Sequence, residues 1–264
     1  MGDRVIDRLA IVGDGLIGRS VQLAWRRRHP DAEVVALDRD DDLAPLASAG
    51  AVVLAAPVDA ILSILPRLPA LTGHAHFITD TGSTKRAIVE LAFEVGLSRF
   101  VAGHPMAGGT STGPAEARAD LFHDRTWFLL TGHALAAARE AAADFVADLG
   151  ARVVTMEDDG HAHDRLVAAI SHLPQVVATA LRARVGETVG VEGLRHAGAG
   201  LRDTTRLAAS QASMWAPILQ TNARVLSPLL RALSADLERI AEDLDDRAAI
   251  ERLFSRAHRF PFDP

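Results

Sequence analysis

Histidine exchanges protons near neutral pH, and His104 stands at the end of a short apolar run in Phe100-Val-Ala-Gly-His-Pro-Met-Ala-Gly-Gly109. Phe100-Val101-Ala102 is long enough for a buried strand, and Gly103 and Pro105 are expected to stop it, leaving His104 just beyond its C-terminal edge. Ligands of open α/β sheets bind at that edge, so His104 is a candidate general base. Asp80-Thr-Gly-Ser-Thr-Lys85 offers a second group. Its glycine turn could carry the Ser83 hydroxyl and the Lys85 ammonium to a substrate, or Ser83 or Thr84 could simply cap the next helix. The third is Arg206, in Gly198-Ala-Gly-Leu-Arg-Asp-Thr-Thr-Arg206. Read as lying near a helix N-terminus, it is badly placed for the helix dipole and well suited to fork a substrate carboxylate.

A cofactor site comes earlier in the chain. Leu9-Ala-Ile-Val12 reads as a strand, Gly13-Asp-Gly15-Leu16-Ile17-Gly18 as a turn, and Ser20-Val-Gln-Leu-Ala-Trp25 as a helix. This order suits a dinucleotide: Gly13 permits the tight turn, Gly15 admits a pyrophosphate, Gly18 lets helix and strand pack closely, and the anion sits over the helix N-terminus. A second strand, Glu33-Val-Val-Ala-Leu37, ends in Asp38, twenty residues past Gly18. A carboxylate there accepts hydrogen bonds from ribose hydroxyls and repels a 2′-phosphate, so NAD is expected rather than NADP. Arg39 argues the other way, since it could receive that phosphate.

The elements needed to position these groups follow from the remaining pattern. Strands are expected at residues 51–56, 77–80, 126–130 and 152–155, alternating with helices that include residues 134–149. This predicts an α/β fold with a mostly parallel, doubly wound Rossmann-like sheet over residues 1–156. Residues 157–264 read as all-helical. Val167, Ile170, Val177 and Leu181 share a helix expected to kink at Pro174, and His172 beside the kink faces a core or an interface. Leu226, Leu230, Leu233, Leu237, Ile240 and Leu244 form a heptad seam, expected to make a homodimer. His161 and His163 would diverge on a helix, so no metal is assigned.

Composition narrows the classes. The chain has 264 residues, 48% hydrophobic and 23% charged, as in soluble globular proteins. A formal net charge of −6 disfavours nucleic acid. The absence of cysteine excludes thiol chemistry and thiolate metal sites. No apolar run approaches the roughly 18 residues of a membrane span, and the charged N-terminus is unlike a signal peptide, so a cytoplasmic protein with no membrane partner is expected.

Together, Gly13-Asp-Gly-Leu-Ile-Gly18, Asp80-Thr-Gly-Ser-Thr-Lys85, Gly103-His-Pro-Met-Ala-Gly108, His163-Asp164, Ser171-His-Leu-Pro174, Arg202-Asp-Thr-Thr-Arg206 and Met214-Trp215 resemble the prephenate and arogenate dehydrogenase family of tyrosine biosynthesis. The motifs run in the family's order from residue 9 to about 222. The resemblance implies NAD-dependent oxidative decarboxylation of a cyclohexadienyl substrate, with a nucleotide-binding domain followed by a helical dimerisation domain. It implies that His104 hydrogen-bonds the ring hydroxyl with help from Ser83, that Arg206 holds a carboxylate, and that Trp215 lies near the same pocket. Lys85, His172 and Gln175 are further candidates for contacting the substrate. Two departures concern substrate choice. Many prephenate-specific members have an acidic residue where this chain has Gly109-Thr-Ser-Thr112, and a second histidine where it has Gln175.

Overall fold

The computed structural model describes residues 6–108 and 113–261. Seven strands, β1 (Arg8–Val12), β2 (Glu33–Leu37), β3 (Ala51–Leu54), β4 (Phe77–Asp80), β5 (Phe100–Pro105), β6 (Thr126–Leu130) and β7 (Arg152–Met156), form one sheet in the order β2-β1-β3-β4-β5-β6-β7. All neighbours are parallel except β5 and β6. Side chains alternate faces along each strand. Leu9 and Ile11 join Trp25, Phe77, Trp127 and Phe145 on one side, while Ala10 and Val12 join Leu54, Ile61, Ile78 and Ile88 on the other. Both faces are covered, by α1 (Leu16–Arg28) and α4 (Ala136–Asp148) on the first and by α2 (Val58–Ile64) and α3 (Arg86–Glu94) on the second. The near-continuous apolar character of β3 and β6 follows from this double coverage.

The chain leaves β1 toward β2 and then crosses back to β3, so the strand order reverses between β1 and β3. A crevice opens outside the C-terminal ends of strands at such a point. The site lies there.

β5 runs longer than its apolar run suggests. Gly103, His104 and Pro105 do not end the strand; they pair antiparallel with β6, His104 opposite Phe128 and Pro105 opposite Trp127. Gly103 makes this possible, because a Cβ there would lie 2.6 Å from the carbonyl oxygen of Asp80. His104 is thus held inside the sheet, with a rigid backbone on either side.

From His161 the structure is helical. α5 (His161–Val167) passes through a π-helical turn, Ala168–His172, into α6 (Leu173–Leu194). Pro174 causes no break, since it falls in the first turn of α6, where proline is tolerated. The interruption of the α-helical pattern before Pro174 is the π turn, and the non-helical residue within α6 is Gly190, with φ 65°. This run has the length and mean hydropathy (1.3) of a membrane span; buried His163, Asp164 and His172 instead tie its first turns to the rest of the protein. α7 (Ala199–Thr204), α8 (Ala212–Thr221), α9 (Ala223–Glu242) and α10 (Arg247–Ala257) follow among the described residues. These helices bury little of their own apolar surface. Of the seam residues in α9 and after it, Leu226 is buried, whereas Leu237 is 56% and Leu244 60% exposed.

Candidate active site

A cleft of about 490 Å³ lies outside the strand ends. Its walls are Gly15, Leu16 and Ile17 from the glycine turn, Ala55 to Ala60 after β3, Thr81 to Ser83 after β4, His104 and Pro105 from β5, and Gln211, Ser213, Met214 and Ile218 around α8. The sheet edge and the helical region therefore close on the same space.

The glycine turn is shaped as a dinucleotide needs. Gly13 has φ 105°, and a Cβ on it would lie 2.3 Å from Ala55 O; a Cβ on Gly18 would lie 1.9 Å from Gly13 O. Both glycines are consumed in close packing. Gly15, by contrast, has nothing within 4 Å of where a Cβ would stand, so the open space is at the α1 N-terminus, whose first N–H groups have no partner within the helix. Those groups and that space fit a pyrophosphate. Gly13 N–H donates to Leu37 O at 2.7 Å, which sets the end of β2 beside the turn. Asp38 follows there, exposed, with one carboxylate oxygen accepting the Arg39 N–H. Arg39 itself lines the cleft.

His104 is held by a chain of side chains that ends in a carboxylate. His104 Nδ1 is 2.9 Å from His163 Nε2, and His163 Nδ1 is 2.9 Å from Asp164 Oδ1. A carboxylate only accepts, so His163 carries its proton on Nδ1 and offers the Nε2 lone pair to His104. His104 consequently holds its proton on Nδ1, and its Nε2 is the free acceptor. Burial, with His163, Lys85 and His172 nearby, pushes the His104 pKa well below the ordinary imidazole value of 6.5. The ring is neutral across the physiological range, as a proton acceptor must be.

Asp164 has a second task. Its two oxygens accept the backbone N–H groups of Lys85, at 2.8 Å, and Arg86, at 3.1 Å, capping α3 from across the chain. Gly160 allows that approach. It opens α5 at φ 100°, and any Cβ would lie 2.5 Å from the Arg86 backbone. With the cap supplied by Asp164, neither Ser83 nor Thr84 caps α3. Thr84 Oγ1 pairs with Thr221 Oγ1 at 2.8 Å, and Ser83 lines the cleft with His104.

Lys85 is not among the residues that line the cleft. Its side chain is fully buried, paired with Asp80 and donating to Gly103 O at 2.7 Å. Burial lowers its pKa and Asp80 opposes that shift. Asp80 also accepts the N–H groups of Gly82, at 2.8 Å, and Gly103, at 3.0 Å. The pair thus ties the turn that carries Ser83 to the strand that carries His104, a structural use of the charge.

Arg206 stands at the opposite end of a helix from the one expected. The glycine-rich segment opens α7, and Arg206 follows that helix's C-terminal end, where a cation complements the dipole. It lines a separate space with Arg182 and Arg202 and is not on the walls of the His104 cleft. His172 is buried, 3.2 Å from Asn222 Nδ2 and edge-on to Trp215 with ring centroids 5.8 Å apart. Desolvation lowers its pKa to about 4. Gln175 is buried beside the turn that follows α7, donating to Leu207 O at 2.9 Å. Gly109 to Thr112 lie outside the described residues. His163, Asp164 and Asn222 are the residues of this site that the motif spacing had not singled out for a role.

Similarity to known proteins agrees with this organisation. The prephenate dehydrogenase nucleotide-binding domain matches residues 16–155, and the prephenate dehydrogenase dimerization domain matches residues 159–256. The chain is 35% identical over 244 residues to the prephenate dehydrogenase of Bacillus subtilis, covering 82% of this chain and 64% of that one; it thus spans just under two thirds of that relative's length. It is 30% identical to the cyclohexadienyl dehydrogenase of Zymomonas mobilis, covering 89% and 88% of the two chains. Its fold matches that of prephenate dehydrogenase from A. aeolicus, solved with hydroxyphenyl propionate and NAD+, with TM-score 0.86, 24% identity and coverage of 98% and 97%. With both domains matched in order on either side of the cleft, the chain belongs to the prephenate dehydrogenase family.

Proposed function

We propose that this protein catalyses the NAD-dependent oxidative decarboxylation of prephenate to 4-hydroxyphenylpyruvate. The observation that carries the reading is His104, its Nδ1 tied through His163 to Asp164, on the wall of a cleft shared with the open glycine turn. NAD, when bound along Gly13, Gly15, Leu16, Ile17, Gly18 and Asp38, supplies a hydride acceptor. The protein's part is to place the ring hydroxyl of the substrate at His104 Nε2. The hydroxyl proton moves to that nitrogen as its carbon gives up hydride, and the charge formed on the ring is shared toward His163 and Asp164. The ring carboxylate leaves as CO2, its bonding electrons make the ring aromatic, and the proton returns to the phenol oxygen. Ser83, on the same wall, is a second hydrogen-bonding group for that oxygen. α8 closes the other side and limits water.

The Zymomonas relative favours a broader choice of substrate. Arogenate offers the same ring carboxylate and ring hydroxyl, 4-amino-4-deoxyprephenate offers the same ring carboxylate with an amino group in place of the hydroxyl, and Gln175 stands where many prephenate-specific members have histidine. Purified protein assayed with NAD against the three compounds tests the reading. Formation of 4-hydroxyphenylpyruvate and CO2 from prephenate is expected, and turnover of none of the three would refute it.

The functional unit in this reading is a homodimer. The exposed apolar residues of the helical region, Leu237, Leu244 and Phe254 among them, lie within or beside the domain matched as the dimerization domain. A second copy would bury them. Arg206, which lines a separate space within one copy of the chain, remains the candidate for holding a substrate carboxylate.

A further inference from the structure

Asn222 lies at the junction of α8 and α9 and is 2% exposed. Its side-chain nitrogen is 2.8 Å from the backbone oxygen of Asp164 and 3.2 Å from His172 Nδ1. The Asp164 oxygen can only accept, so the group facing it is the amide NH2 and not the amide oxygen. One amide hydrogen goes to Asp164 O. The other points to His172 Nδ1, which therefore accepts and carries no proton. It follows that His172, neutral in its buried place, keeps its proton on Nε2.

We propose that Asn222 is a positioning residue of this active site: its one amide group fixes the Nε2–H tautomer of His172 and, at the same time, the α5 turn that presents His163 and Asp164 to His104. Three observations converge on it. The π turn Ala168–His172 ends on His172, whose ring meets the α8–α9 junction at Asn222. Trp215 of α8 packs edge-on against the same ring and limits its rotation. Thr221, the adjacent residue, holds Thr84 beside Ser83. The junction is thus fastened to both halves of the site, and α8 carries Ser213, Met214 and Ile218 to the cleft. The catalytic part of this inference rests on the proposed function; the tautomer does not.

Two-bond 1H–15N correlation spectra of the full chain labelled with 15N-histidine read the tautomer directly, with the His172 signal assigned by its loss in His172→Gln. A bare Nδ1 and a protonated Nε2 are expected. In Asn222→Asp the carboxylate cannot donate, so the His172 proton should move to Nδ1. If that variant does not fold, Asn222→Ala decides, and there a mixture of tautomers is expected. Asn222→Ala should also lower kcat/KM by about tenfold to a hundredfold, the usual scale of a small misplacement of reacting groups, and Asn222→Ser, with one donor hydrogen, should recover part of it. A wild-type His172 protonated on Nδ1, an unchanged spectrum in the variants, or kcat/KM within twofold of wild type in Asn222→Ala would overturn the assignment. The expected tautomers in a protein that turns over none of the three compounds would support the assignment and overturn the proposed reaction instead.

Discussion

His104 and His163, 59 residues apart in sequence, meet through Nδ1 and Nε2 at 2.9 Å, and the contact decides which nitrogen of His104 is free. One histidine sits in the sheet and the other opens the helical region, so the base is assembled only when the two halves of the chain pack. Asp164 completes the arrangement by orienting His163 and capping α3.

Removing His163 should therefore damage catalysis without touching the cofactor site. His163→Ala leaves His104 free to hold its proton on either nitrogen, and kcat should fall by about tenfold to a thousandfold, as when a catalytic histidine loses its tautomer partner. KM should change little. Steady-state kinetics check this, and an unchanged kcat would dissociate His163 from the reaction.

Lys85→Met should act on stability. It strands the buried Asp80 carboxylate, which costs about 3 to 5 kcal/mol when a buried pair loses one partner. Asp80→Asn with Lys85→Met should recover part of the loss. Denaturant unfolding of the single and double variants measures both, and a Lys85→Met protein of normal stability with raised KM would restore the substrate-binding role.

The lowered histidine pKa values give two pH effects of known sign. Activity needs neutral His104, whose pKa lies well below 6.5, so the acid limb of kcat/KM should also lie well below 6.5. For stability, a histidine depressed to about 4 in the folded state binds fewer protons than the unfolded chain between pH 6.5 and about 4. Stability therefore falls as pH drops through that window and the effect levels off below it. His172→Gln should flatten the slope of unfolding free energy there; an unaltered slope would mean that His172 is not the group responsible.

Cofactor choice tests the end of β2. Asp38 should oppose a 2′-phosphate by about 2 to 4 kcal/mol, roughly 30-fold to several hundred-fold in kcat/KM between NAD and NADP. Asp38→Gly should narrow the ratio by leaving Arg39 on the cleft wall unopposed. Equal use of both cofactors by the wild type would remove Asp38 from that role.

Much of this was legible in sequence because it is local. β2, β4 and β6 coincide with their apolar runs, and the glycine turn names its own neighbours through the spacing of Gly13, Gly15 and Gly18. What was hidden depends on partners far away in the chain. His104 looked like a loop residue because the strand that pairs with it, β6, starts 21 residues beyond Pro105. His161 and His163 draw attention as a pair that would diverge on a helix, whereas the partners of His163 are Asp164 and a histidine on the sheet. Lys85 is the chain's single lysine, and Asp80 five residues before it was the available signal that its charge would be paired. The place of Arg206 relative to a helix end was hidden because α7 is only six residues long, so a helix start and a helix end fall within one glycine-rich segment.

The central claim is that His104 Nε2 takes the substrate proton, and His104→Ala tests it most directly when kcat and NAD affinity are measured on the same preparation. NAD should bind nearly as in the wild type, since Gly13, Gly15, Gly18 and Asp38 are untouched, while kcat with prephenate should fall by about 10² to 10⁴. A variant that keeps more than about a third of the wild-type kcat while binding NAD normally would contradict the account.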